Sequence, residues 1–195
     1  MEGAGKSTQI ALLRAYLEQA DRAVCVTREP GGDAVAETVR RLLLECSMTP
    51  RAELLLFLAA RAQNVESVVR PHLAAGGIVL CDRFIDSSIA YQGCARGLGR
   101  DSVFRLNAFA IDGVMPDITF LIDIDPAIGL ERQRDRNRME AESLEFHRAV
   151  RQGFLSEARN SPERFMVLDG ARDAAAVQSD IRARVEAMLT SRASD

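Results

Sequence analysis

Apolar residues along the chain fall into two alternating patterns. From Lys6 to Ala20 they recur at Ile10, Leu13, Leu17 and Ala20, directly after a run of glycines, and this 3.6-residue spacing predicts a helix. The run RAVCVT (22–27) is short, β-rich and closed by Pro30, Gly31 and Gly32, which predicts a strand emptying into a turn. Helical patterns follow at 34–46 and 51–74, the second beginning after Pro50 and carrying Leu54, Leu55, Leu58, Val65, Val68 and Val69. IVLCD (78–82) is a continuous apolar run ending in an acid, the pattern of a strand buried on both faces. Two more strands are expected at 118–124 and 165–168, with helices at 100–112, 126–136, 140–159 and 173–190. The last of these spaces Val177, Ile181, Val185 and Leu189 by fours. Strands alternating with helices predict a parallel sheet covered on both faces, a doubly wound α/β fold with four visible strands. Ligands of such folds bind beyond the carboxyl ends of the strands.

Composition narrows the class. A chain of 195 residues that is 47% hydrophobic can bury a substantial core, and without repeats or linkers it is expected to be one domain over 1–195. No apolar run approaches the roughly 20 residues of a membrane span, so a cytoplasmic enzyme with no membrane partner is expected. Cys25, Cys46, Cys81 and Cys94 lie far apart, which indicates neither disulfides nor a zinc site; small buried hydrophobes are expected. A net charge of -3 gives no general field for a nucleic-acid backbone, so phosphate chemistry must rest on locally placed cations. Lys6 is the single lysine among 25 basic residues, which suits a place where a slim point charge fits and a planar guanidinium does not.

Four stretches carry candidate chemistry. In EGAGKST (2–8) the backbone N–H groups of Gly3, Ala4 and Gly5, with the open end of the next helix, form a nest for β- and γ-phosphate oxygens. Lys6 would reach the same oxygens, and Ser7, followed by Thr8, would hold Mg²⁺. TREPGG (27–32) places Arg28 and Pro30 at a strand's carboxyl end beside that loop. In CDRFIDSSIAYQG (81–93), Asp82 ends an apolar strand, where an acid is costly unless it meets a metal shell or a cation. Arg83 follows with a fork that fits a phosphate monoester, and Ser87, Ser88 and Tyr91 add hydroxyls and an aromatic wall. RQRDRNR (132–138) puts Arg132, Arg134, Arg136 and Arg138 within seven residues, a solvated face or a lid that neutralises a transferring phosphoryl group. His72 and His147 have no triad partners and are expected to be structural or exposed.

Taken together, EGAGKSTQ, TREPGG, Phe57 and Arg61 in F-x-x-x-R spacing, and DRFIDSSIAYQG resemble the bacterial thymidylate kinases over nearly the whole chain. The resemblance implies a P-loop nucleoside monophosphate kinase fold with a lid at about 132–142. It also implies transfer of the γ-phosphate of ATP to dTMP with Mg²⁺, and a homodimer, for which helices 34–46 and 51–74 could supply the interface. By the same likeness Arg83 holds the dTMP phosphate, Phe57 stacks on thymine, and Arg61 and Ser88 read its edge. Tyr91 then sits under the deoxyribose and Glu2 near its 3′-hydroxyl and the metal region, with Arg28, Pro30, Ser87 and Gln92 completing the acceptor site. Lys6, Arg83, Arg132, Arg134 and Arg136 would be catalytic, and Ser7 and Asp82 would serve the metal.

Three departures stand out. The lid segment is short, lacks glycine and has Asn137 before Arg138. Asn64 and Asp33 stand where histidine and threonine are common, and little effect is expected from either. The first glycine of the phosphate loop and its feeding strand are absent, from which further residues upstream are expected. The competing expectation is a P-loop protein that binds nucleotide with impaired catalysis.

Overall fold

The structure, a computed structural model, describes residues 2–132 and 137–192. Its strands are β1 (Val24–Arg28), β2 (Ile78–Asp82), β3 (Thr119–Asp123) and β4 (Phe165–Asp169). The helices are α1 (Lys6–Gln19), α2 (Ala34–Glu45), α3 (Pro50–Asn64), α4 (Arg70–Ala74), α5 (Ile85–Ser88), α6 (Arg100–Ile111), α7 (Pro126–Glu131), α8 (Leu144–Asn160) and α9 (Ala174–Arg192). Strand pairing is parallel throughout, with Arg28 opposite Asp82 in β1–β2 and Asp123 opposite Asp169 in β3–β4. Among the described residues the strands form two hydrogen-bonded pairs rather than one continuous ladder, because no described strand lies between them.

A shared apolar core joins the pairs. Leu13 and Leu17 of α1 pack with Val177, Ile181 and Val185 of α9 and with Leu121, Ile122 and Leu168 of β3 and β4, and Val24, Ile78 and Leu80 of the other pair border the same cluster. A second cluster under α3 and α6 is built from Leu54, Leu58, Val65, Ile85, Ile89 and Val103. The spacing by fours at the end of the chain is therefore the buried stripe of α9, as its pattern predicts.

Three helical regions depart from the sequence expectation. The helix expected over 51–74 is α3 and α4 joined by a π turn at Val65–Val69, with Pro71 in the first turn of α4. Proline lacks an N–H and crowds the preceding turn, so a wider turn before it keeps the axis continuous. Residues 85–95, for which the pattern drew no helix, are α5 followed by a second π turn, Ile89–Ala95. The start of α8 comes four residues later than expected. The Asn137 side chain accepts from the N–H groups of Met139 and Glu140 and so builds a local turn, after which Ser143 caps the helix at Phe146.

The cysteines correct the expectation of four buried hydrophobes: Cys46 and Cys94 are exposed, Cys25 and Cys81 partly buried, and all four are free. Asp33 caps α2 through Ala36 N–H and also accepts from Gln63 and Ser67, a task that threonine could share only in part.

Helix α8 crosses the second π turn closely at Gly153, where an added Cβ would sit 2.9 Å from Ala90 Cα. Gly153→Ala is expected to destabilise the protein by about 1–3 kcal/mol through overpacking against backbone. Urea unfolding followed by far-UV circular dichroism measures this, and an unchanged midpoint would contradict the close approach.

Candidate active site

Glycines dictate the form of the loop at 2–5. Gly3 and Gly5 take left-handed backbone angles, φ 61° and 86°, and a Cβ at Gly3 would overlap the Gly129 carbonyl of α7. Side chains cap α2, α3, α7 and α8, whereas α1 has no side-chain cap and no acid in its first turn. Its N-terminal N–H groups and positive pole are thus left for an anionic ligand. Residues Gly3 to Thr8 line one side of a cleft of about 620 Å³. Burial, and then the nearby Arg83 charge, lower the Lys6 ammonium to about 8, against the opposing pull of Glu2 and Asp82.

Arg83 stands at the carboxyl end of β2 with φ 72°, a left-handed angle that costs a non-glycine residue free energy. Its guanidinium lies 5.3 Å from the Tyr91 ring centroid and is ion-paired to Glu2, and the Tyr91 hydroxyl donates to the same Glu2 oxygen at 2.9 Å. Burial would raise the Glu2 carboxyl, but the Arg83 and Lys6 charges outweigh it and carry it down to about 2. Burial also pushes the Tyr91 hydroxyl well above its usual range. Glu2 therefore stays ionised and Tyr91 protonated at neutral pH, and the phosphate loop is tied to the end of β2.

On the far side of the cleft, Arg61 is 1% exposed. Its Nε donates to Glu29 at 2.6 Å, and its Nη1 donates to Ser88 at 2.9 Å and to Asn107. Burial raises the Glu29 carboxyl, an effect that its bond to Arg61 opposes. Phe84 lies under the same guanidinium at 5.4 Å, and Phe57 lines the cleft nearby. Asn64 is fully buried, accepts from Thr27 Oγ1 at 2.8 Å and donates to Glu29 at 3.3 Å, so this position is far from idle. A Cβ at Gly32 would collide with Asn64 and Thr27, which explains the second glycine of TREPGG.

Of the candidate residues that the structure describes, Glu2 to Thr8, Arg28, Pro30, Phe57, Arg61, Asp82, Arg83, Ser87, Ser88, Tyr91, Gln92 and Arg132 line this cleft, and Arg138 does not. Arg134 and Arg136 lie outside the described residues. Arg132 donates to the Gly3 carbonyl at 3.3 Å, whereas Arg138 turns away to Glu53 (2.8 Å) and the Leu43 carbonyl (3.0 Å). Gln92 also donates to Glu53, at 2.9 Å. Asp82 Oδ1 is buried without a hydrogen-bond partner among the described residues, a position that fits a cation or a hydrated cation. Sequence reasoning missed Glu29, Arg40, Leu44, Asn137, Met139 and Glu140, which also line the cleft. Glu29 stood inside a motif already singled out. Arg40, which donates to the Pro30 carbonyl at 2.8 Å, lies on an ordinary amphipathic helix and carries no such signal. Six basic against four acidic side chains line the cleft among the described residues, so a chain of net charge -3 gathers cations here.

Comparisons agree with this geometry. The family described as Thymidylate kinase matches residues 1–181. The chain is 50% identical over 184 residues to "Thymidylate kinase" of Solidesulfovibrio magneticus, covering 88% of each chain. It is 46% identical to "Thymidylate kinase" of Geotalea uraniireducens, covering 97% of this chain and 94% of that one. The crystal structure of thymidylate kinase from Ehrlichia chaffeensis superposes with a TM-score of 0.79 at 37% identity, covering 95% of this chain and 94% of that chain.

With a lysine lowered to about 8 beside an open helix terminus, polyphosphate affinity should follow its protonation. The sign is set by the anion, which prefers the ammonium form, so affinity is complete below pH 8 and is lost above it. Titration of Mg·ATP by calorimetry should show binding roughly eightfold weaker at pH 9 than at pH 7.5, a difference absent from Lys6→Ala. A flat profile in the unaltered protein would contradict the depressed lysine.

Proposed function

The chain belongs to the thymidylate kinase family and transfers the γ-phosphate of ATP to dTMP, giving ADP and dTDP; from that premise we propose how its own residues divide the work. The supporting observation is the two-ended cleft: an uncapped helix terminus with Lys6 at one end, and Arg83, Phe57 and Arg61 at the other.

In this scheme the N–H groups of Gly3, Ala4, Gly5 and Lys6, with Ser7 and Thr8, cradle the ATP phosphates, and Lys6 neutralises the β- and γ-oxygens. Arg83 binds the dTMP phosphate. Before dTMP arrives, Glu2 and Tyr91 hold the guanidinium in place, so its orientation is set in advance and the left-handed backbone is sustained. Phe57 stacks on the base, Arg61 and Ser88 face its edge, and Arg28, Pro30, Ser87 and Gln92 close the acceptor side. Tyr91, packed edge-on against Phe154 at 6.2 Å, forms a rigid floor under the sugar. The acceptor phosphate is already an anion, so no general base is needed, and alignment with charge neutralisation carries the in-line transfer. Arg132, with Arg134 and Arg136, would supply cationic charge to the transferring group from the segment 132–142, the lid of a single kinase domain spanning 1–195.

Mg²⁺ is the fitting cofactor. Ser7 and Asp82 would hold it directly or through water, the unpartnered Asp82 Oδ1 being the observation that favours it. Held there, it would supply positive charge to offset the negative charge of the phosphate oxygens.

We also place the enzyme in the cytoplasm and read it as a homodimer formed through α2 and α3. Val35 (56%), Leu42 (45%) and Leu55 (59%) are unusually exposed there. Sedimentation velocity at micromolar concentration should give a two-chain species, and a monomer would contradict this interface.

Kinetics separate the two ends of the cleft. Arg83→Ala should lower kcat/KM for dTMP by about 100-fold or more while the KM for Mg·ATP moves less than about threefold. Equal losses toward both substrates would contradict the assignment of Arg83 to the acceptor.

A further inference from the structure

Arg61 is held in part by residues that do not line the cleft. An arginine side chain offers five N–H donors in a rigid plane. The described hydrogen bonds take Nε to Glu29 and Nη1 to both Ser88 and Asn107, so Nη2 is the part that remains for a ligand. The plane can keep that edge aimed only if its partners cannot turn, and each amide partner is itself clamped. Asn107 Nδ2 donates to the Val103 carbonyl at 2.8 Å, which fixes Oδ1 toward Arg61. Asn64 Oδ1 accepts from Thr27 Oγ1 at 2.8 Å, which fixes Nδ2 toward Glu29. Because Ser88 accepts from Arg61, its own hydrogen is free to donate. Asn64 and Asn107 are both 0% exposed, and neither lines the cleft.

We propose that Asn64 and Asn107 are specificity-determining positioning residues: by clamping Glu29 and Arg61 they present a fixed donor edge that accepts a 4-oxo pyrimidine and rejects a 4-amino one. This rests on the assignment of Arg61 to the base edge. A buried donor-only edge meets the O4 acceptor of thymine or uracil well, and against the exocyclic amine of cytosine it faces another donor. An arginine free to swing would tolerate both. Glu29 is the carboxylate that pairs with Arg61, whereas the buried Glu53 is occupied by Gln92, Arg96 and Arg138.

The test measures kcat/KM for dTMP, dUMP and dCMP, with the KM for Mg·ATP, in Asn64→Leu, Asn107→Leu, Thr27→Val and Arg61→Met. Assays run well below each variant's melting temperature. Thr27→Val keeps volume and charge and releases only the Asn64 amide, so it reports even where a leucine variant folds poorly. The dTMP-to-dCMP ratio should fall about tenfold or more in the two leucine variants and less in Thr27→Val. The loss should fall on KM for the nucleotide monophosphates, with KM for Mg·ATP unchanged. If Arg61→Met lowers the ratio and the three positioning variants leave it unchanged, the positioning role is overturned while the base-edge assignment stands. If Arg61→Met also leaves it unchanged, the assignment itself fails, and the positioning role with it.

Discussion

The interaction on which this structure depends is the grip of Glu2 and Tyr91 on the Arg83 guanidinium, which joins the phosphate loop, the end of β2 and the helix after it through three side chains. A cation largely withdrawn from water needs a carboxylate nearby, and a left-handed arginine backbone needs surroundings that over-determine it. Both requirements are met by one ion pair, which also holds the carboxyl of Glu2 near 2. Burial and the Arg83 charge depress Lys6 while Glu2 opposes them, so the cleft's cations and anions form one coupled set rather than independent contacts. An arriving phosphate monoester can replace the carboxylate partner of Arg83 without a new orientation having to be found.

Farther from the phosphates, the protein accepts a buried ion pair, Glu29 with Arg61, both side chains within 2% exposure. Such pairs add little net stability relative to apolar packing, because desolvation of both charges offsets their attraction. Their value is directional. A fully bonded guanidinium has one geometry, and the amides around it make that geometry costly to leave.

Much of this was legible in the sequence for specific reasons. Periods of 3.6 and runs of apolar residues mark α1, α9 and all four strands because burial of those faces is what folds them. The phosphate loop, TREPGG and DRFIDSSIAYQG were legible because close backbone approach and anion binding restrict residue choice at fixed spacing. The π turns were not: hydrophobic spacing does not distinguish the five-residue widening at Val65–Val69 from a continuous helix, and at Ile89–Ala95 it drew no helix at all. Arg40 and Asn107 were hidden for another reason: their roles arise from contacts across 10 or more positions in sequence, and locally each is an ordinary helical residue. Asn64 looked inconsequential as a departure from a common histidine, and only its two clamped hydrogen bonds reveal its place. Arg138, within the arginine run, was read with its neighbours by composition, but its guanidinium is anchored to Glu53 and Leu43.

A crystal structure of the protein with dTMP and a non-hydrolysable ATP analogue tests the central claim most directly. The monophosphate should lie bidentate on Arg83 with Glu2 displaced from that guanidinium, the triphosphate on the N-terminus of α1 with Lys6, and the pyrimidine O4 at the Nη2 edge of Arg61. A monophosphate seated away from Arg83, or a Glu2–Arg83 pair left intact beside a bound acceptor, would contradict it.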